Sequence, residues 1–95
     1  MPAGEPLFRS FDAAAARASV RAVDLSPCVT RGASRGYGHA RVTFHASGSP
    51  ARVAIDAPAG LGEGAVACLG ERLAAVSVPP FDGGEMTMGT GYFVP

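Results

Sequence analysis

The stretch His39-Ala40-Arg41-Val42-Thr43-Phe44-His45-Ala46, then Ser47-Gly48-Ser49-Pro50, then Ala51-Arg52-Val53-Ala54-Ile55-Asp56 decides the fold of this chain. Ala40, Val42, Phe44 and Ala46 fall on one side of an extended backbone, and His39, Arg41, Thr43 and His45 on the other. Ser47 to Pro50 reverses the chain, and the valine- and isoleucine-bearing segment returns as a second strand. The period of two predicts an antiparallel hairpin with one buried face. A sheet of that kind is covered on one side and solvated on the other.

Working outward toward the N-terminus, residues 1–10 hold two prolines and a glycine and read as a lead-in or tether. Phe11 begins a helix capped by Ser10 or Asp12. Its inward stripe is expected at Phe11, Ala15, Ala18, Ala22 and Leu25, with Arg17, Arg21 and Asp24 forming a polar strip. Pro27 is expected to stop the helix just before Cys28, and residues 30–38 read as a polar, glycine-rich loop.

On the other side of the hairpin, Pro58 and a glycine run lead into a second helix. Leu61, Ala65, Leu69, Leu73 and Val76 share one stripe of it, and Pro79-Pro80 are expected to end it. Asp82-Gly83-Gly84 turns the chain into a last strand, where Met86, Met88, Thr90, Tyr92 and Val94 alternate with Thr87, Gly89, Gly91 and Phe93. The order is αββαβ. This predicts an α+β two-layer sandwich, a three-stranded antiparallel sheet with two helices on one face, formed by a single domain over residues 11–95.

Composition narrows the function. The chain has 95 residues, enough for one small domain, and its hydrophobic 47% includes only five Phe and two Tyr. A core so rich in alanine buries modest area per residue and gains from a covalent staple. Formal net charge is zero, which excludes the basic excess of a nucleic-acid footprint. The eight basic residues are all arginine, and Lys, Asn, Gln and Trp are absent; a GC-rich coding bias accounts for the missing lysines, though Arg also suits carboxylate recognition. No run approaches the length of a membrane span. Met1-Pro2-Ala3-Gly4-Glu5-Pro6 has neither the basic nor the apolar region of a signal peptide, so any export signal or anchor is expected outside this segment.

Two cysteines, Cys28 and Cys68, fit a disulfide if the compartment is oxidising; the alternative is a pair of buried thiols packed as small hydrophobes. The bridge is expected here, pinning the first helix to the second. Other chemistry finds little support. Gly60-Leu61-Gly62-Glu63-Gly64-Ala65 fits G-x-G-x-x-[GA] with Asp82 downstream, but the fingerprint requires a parallel βαβ unit that this order does not provide. His39 and His45 lie about 20 Å apart along a strand, too far to share a metal. Ser47 and Ser49 are turn residues with no base beside them, and Cys68 in mid-helix has no device to lower its pKa. No catalytic, cofactor or metal residues are expected. The last strand is different. Gly89 and Gly91 weaken a strand and let another backbone approach, and a terminal strand is a natural place for strand addition.

Several segments resemble a known family. Gly38-His39-Ala40-Arg41-Val42-Thr43-Phe44, Ser47-Gly48 and the return strand resemble the first hairpin of TonB-type C-terminal domains. Cys68, Leu73, Val78-Pro79-Pro80-Phe81, Gly83 and the segment from Met86-Thr87-Met88 to Tyr92-Phe93-Val94 continue the likeness. With Phe11-Asp12 and Cys28, the chain most resembles the TonB-like C-terminal domains of AgmX/PglI-type gliding-motility proteins of myxobacteria, over about residues 8–94. It departs from TonB itself in its cysteines and in Gly89 and Gly91.

The resemblance implies a periplasmic, non-enzymatic interaction domain at the end of a membrane-anchored transducer or motility protein. It implies that an outer-membrane or periplasmic protein segment binds along Glu85, Met86, Thr87, Met88, Gly89, Thr90, Gly91, Tyr92, Phe93 and Val94. Thr87, Thr90 and Gly91 would lie near the partner backbone. Two other classes remain: a ligand-binding sensory domain of a larger receptor or kinase, with residues 60–64 lining a pocket, or a structural oligomerisation domain, including a strand-swapped homodimer.

Overall fold

The hairpin forms as its pattern requires. In the computed structural model, which describes residues 9–95, β1 (Gly36–Phe44) and β2 (Pro50–Ala57) pair antiparallel. Across the turn, the His45 N–H donates to the Ser49 carbonyl and the Gly48 N–H to the His45 carbonyl, each at 2.8 Å. Ala40, Val42 and Phe44 are fully buried on one side of β1, while His39, Arg41 and His45 are exposed on the other. β3 (Met86–Val94) runs antiparallel along the opposite side of β1, from Gly36 opposite Val94 to Phe44 opposite Met86. The sheet order is β2-β1-β3. With α1 (Ala13–Arg21) packed near β3 and α2 (Glu63–Leu73) near β2, the architecture is the expected α+β arrangement with its helices on one face.

The helices differ from the sequence reading in instructive ways. Asp12 caps α1, accepting the Ala15 N–H at 2.9 Å. The helix ends at Arg21, well before Pro27, and its buried residues are Ala16 and Val20. Ala18 and Ala22, expected inward, are exposed. Alanines carry almost no volume signal, so the one β-branched residue, Val20, sets the buried face. Leu25 is buried from the connection after the helix, not from its stripe.

Pro27 opens a short 3-10 helix, Ser26–Arg31, where its fixed φ and missing N–H are tolerated in the first turn. Cys28 sits in this element and is bonded to Cys68 of α2, with the Cα atoms 5.6 Å apart. The bridge exists, but it ties the 3-10 helix rather than α1 to α2. Residues 30–38, expected as a loop, contribute to the 3-10 helix and to the start of β1.

α2 buries Ala65, Leu69 and Leu73, three of the five residues of its expected stripe, but it ends at Leu73 and not at the prolines. Val76, Val78 and Phe81 are buried from a non-helical segment that crosses the end of the hairpin. The Val78 N–H donates to the Gly48 carbonyl at 3.0 Å, and the Phe81 N–H to the Ala46 carbonyl at 2.9 Å. Pro79-Pro80 therefore belong to a strap over the β-turn; a proline also keeps the residue before it out of the helical region. The contact is close enough that a Cβ at Gly48, which has φ +96°, would overlap the Val78 carbonyl. Phe11 closes this end, its ring 5.1 Å edge-on from Phe81 and 5.7 Å from Phe44. Before it, the Arg9 carbonyl accepts the Asp82 N–H at 2.8 Å and the Arg9 N–H donates back to the Asp82 carboxylate. The rest of the expected lead-in, residues 1–8, lies outside the described residues.

At the other end of the sheet, Tyr92 crosses Gly38 so that its hydroxyl donates to the Ala57 carbonyl at 2.8 Å. One side chain thus links β3, across β1, to β2. A Cβ at Gly38 would overlap the Tyr92 ring and lie 2.6 Å from the Ala57 carbonyl oxygen. Gly38→Ala should therefore lower unfolding free energy by about 2 kcal/mol, the usual scale of overpacking a filled site, while Gly91→Ala should stay within about 0.5 kcal/mol. Urea denaturation of the two variants checks this, and equal losses would contradict it. Replacing both cysteines by alanine should cost about 4 kcal/mol, because the bridge spans a sequence separation of 40. The same denaturation series measures that loss.

Candidate functional site

β3 has the composition of a strand left open on one side. It is hydrogen-bonded to β1 alone, and no charged residue or proline interrupts Met86–Val94. β2 is the other edge, but Pro50 starts it, Pro58 follows it, and Arg52 and Asp56 lie within it. Prolines and charges are the usual means by which proteins blunt an edge against further pairing. β3 lacks both.

Alternation decides what a partner could meet along β3. Met88, Thr90, Tyr92 and Val94 are buried, so those members of the expected surface present backbone only. Glu85, Met86, Thr87, Gly89, Gly91 and Phe93 are exposed. The first part of this set is engaged with the domain itself: Glu85 meets Arg52 at 3.2 Å and His45 at 3.4 Å. Thr87 shares a hydroxyl–hydroxyl hydrogen bond of 2.7 Å with Thr43 of β1.

The second part is open. Residues 89–93 form the floor of a groove of about 810 Å³, with Arg17, Val20 and Arg21 of α1 on one flank and Tyr37 and His39 of β1 on the other. Of the expected site, the structure thus brings Gly89 to Phe93 into one concave surface and leaves Glu85 to Met88 and Val94 outside it. Residues 60–64, considered for a ligand pocket, do not line this groove, and Gly60 and Gly62 face open space.

Two contributors were not assigned a role from sequence. Tyr37 is 85% exposed and lies against Phe93, with ring centroids 4.9 Å apart. Extending the alternation of β1 back from His39 would have placed Tyr37 on the same outer face. Arg17 and Arg21 were legible as a polar strip, but only the packing of α1 beside β3 makes them a groove wall.

The outer sheet face carries a charged cluster beside the groove. Arg41 grips Asp56 through Nε at 3.1 and 3.0 Å and through Nη2 at 2.9 Å, and His39 Nδ1 lies 3.2 Å from the same carboxylate. The Arg41 hydrogen bonds hold the Asp56 carboxyl below the usual carboxylate range. Asp24, at the end of the groove, is likewise held low by the Ser26 backbone N–H at 3.0 Å. Both cysteines are consumed by the bridge. Among the described residues, no group of three His, Cys, Asp or Glu side chains could hold a metal, and no helix is long and apolar enough to cross a membrane. No protein-family model, curated protein or solved structure matches the chain.

A carboxyl whose native pKa is depressed contributes stability above its unfolded pKa and loses it as pH falls through the native value. Asp56→Asn should therefore flatten the decline in melting temperature as pH drops from about 5 toward 2, with little change at pH 7 beyond that of an exposed ion pair. Calorimetric scans across that range check this. Parallel acid limbs for the two proteins would contradict it.

Proposed function

We propose that this domain is a non-enzymatic, TonB-like interaction module of a periplasmic, membrane-anchored transducer or motility protein. In this reading it binds an extended segment of an outer-membrane or periplasmic protein by strand addition to β3. The observation that carries it is the unblunted outer edge of β3 lying on the floor of an open groove. An incoming strand gains main-chain hydrogen bonds along that edge, while the groove walls select its side chains.

Two further features support the reading. The Cys28–Cys68 bridge suits an oxidising compartment such as the periplasm. The resemblance of the hairpin, the Val78-Pro79-Pro80-Phe81 strap and the last strand to TonB-type domains points to a last strand that receives a partner.

The test is titration of the isotopically labelled domain with extended peptides from periplasmic and outer-membrane proteins, followed by NMR. The expected shifts concentrate on residues 85–94, and amides along 89–93 gain protection from hydrogen exchange on binding. Shifts confined to residues 60–64 would favour a sensory pocket. Concentration-dependent dimerisation through β3 without any peptide would favour the oligomerisation unit.

A further inference from the structure

The groove is asymmetric, and its two walls specify different side chains at neighbouring positions of whatever strand enters it. On the outer face, Gly91 stands opposite His39, Phe93 opposite Tyr37 and Gly89 opposite Arg41. The His39 ring leans over Gly89, where a Cβ would come within 3.0 Å of its Cε1. Gly91 has no such cover, since the nearest heavy atom to a Cβ built there is the Gly38 carbonyl oxygen at 3.6 Å. Bare backbone at Gly91 is therefore flanked by the His39 imidazole on one side and the half-exposed Phe93 ring on the other. That is a slot for a planar ring. Tyr92 lying across Gly38 shows the same ring-over-glycine packing elsewhere in this sheet.

The inner wall is cationic. Arg17 and Arg21 are one helical turn apart, so their side chains emerge on the same side of α1. Among the described residues neither is in an ion pair. The one acidic residue lining the groove, Asp24, already accepts the Ser26 N–H, and the Arg72 charge acts on it from outside the groove. The groove lining thus carries two arginines against one carboxylate, a net positive charge.

We infer that the partner of this edge is an extended protein segment with an aromatic residue directly next to an acidic one. The ring stacks over Gly91 between His39 and Phe93, and the carboxylate turns to Arg17 and Arg21. The adjacency follows from strand geometry, because consecutive residues of an added strand point to opposite faces. The inference rests on the strand-addition reading and names the chemistry of the strand.

Four blocked eight-residue peptides of alternating Thr and Val test it, carrying Tyr-Glu, Val-Glu, Tyr-Gln or Val-Gln at the centre. Affinities come from NMR titration of the whole domain. Replacing Tyr by Val should weaken binding about fivefold and replacing Glu by Gln about threefold, the scale of one aromatic contact and one exposed ion pair. Gly91→Val should erase the Tyr preference and keep the Glu preference. The double variant R17E/R21E, both sites exposed, should keep the Tyr preference and turn the Glu preference into one for Gln, and it remains decisive should Gly91→Val fail to fold. If all four peptides shift residues 85–94 with affinities within twofold, the inferred chemistry is wrong while strand addition stands. If none shifts those residues, strand addition itself fails and the inference with it. Self-association through β3 that excludes the peptides would make a second copy the occupant and also overturn it.

Discussion

β1 is paired on both sides, and its inward residues Ala40, Val42 and Phe44 are sealed from solvent. The rest of the domain is arranged around that strand. Because the helices lie on one face and the sheet has only three strands, two edges and one open face are unavoidable. The chain treats the two edges differently. β2 carries prolines at its ends and charges within it, whereas β3 carries hydrophobic, hydroxyl and glycine residues only. The open edge of β3 is a consequence of the sheet order, and its composition leaves that edge unblunted.

A small, alanine-rich core needs help to hold such a sheet, and the help comes at both ends. The disulfide anchors the 3-10 helix to α2. The strap over the hairpin turn buries Val78 and Phe81 while satisfying the Gly48 and Ala46 carbonyls. Tyr92, passing over Gly38 to the Ala57 carbonyl, ties all three strands together at the far end. With β3 fixed through Tyr92 and through the Thr43–Thr87 hydrogen bond, its outer side can stay unpaired without the strand detaching. A preorganised edge of this kind spares an incoming segment the cost of ordering its receptor.

The parts legible in the sequence were those with strong periodicity or local chemistry. The alternation assigned the faces of β3 and of β1 from His39 onward, and the leucines of α2 marked its stripe. α1 was readable as a helix capped by Ser10 or Asp12, but not by face, because several alanines at helical spacing are interchangeable until Val20 is seen to be buried. The end of α2 was misplaced for a different reason. Ala74 and Ala75 are good helix formers, and the chain leaves the helix there because Val76, Val78 and Phe81 reach their burial sites from an extended segment bonded to the hairpin turn. Such tertiary contacts leave no local pattern. The candidate site shows the same division: the last strand could be singled out from its glycines and position, but the groove exists only because α1 brings Arg17 and Arg21 beside it.

The central claim is that β3 is a well-formed strand whose outer side is unpaired in the free domain. Residue-resolved amide hydrogen exchange of the isolated protein measures this directly. In an antiparallel edge strand, amides alternate between those bonded to the neighbour and those facing outward. The account predicts strong alternation along residues 86–94, with fast-exchanging amides between protected ones, and near-uniform protection along the part of β1 that is paired on both sides. Uniform protection along β3 would mean that its edge is already covered, and uniform fast exchange would mean that the strand is not held. Either result would contradict the account.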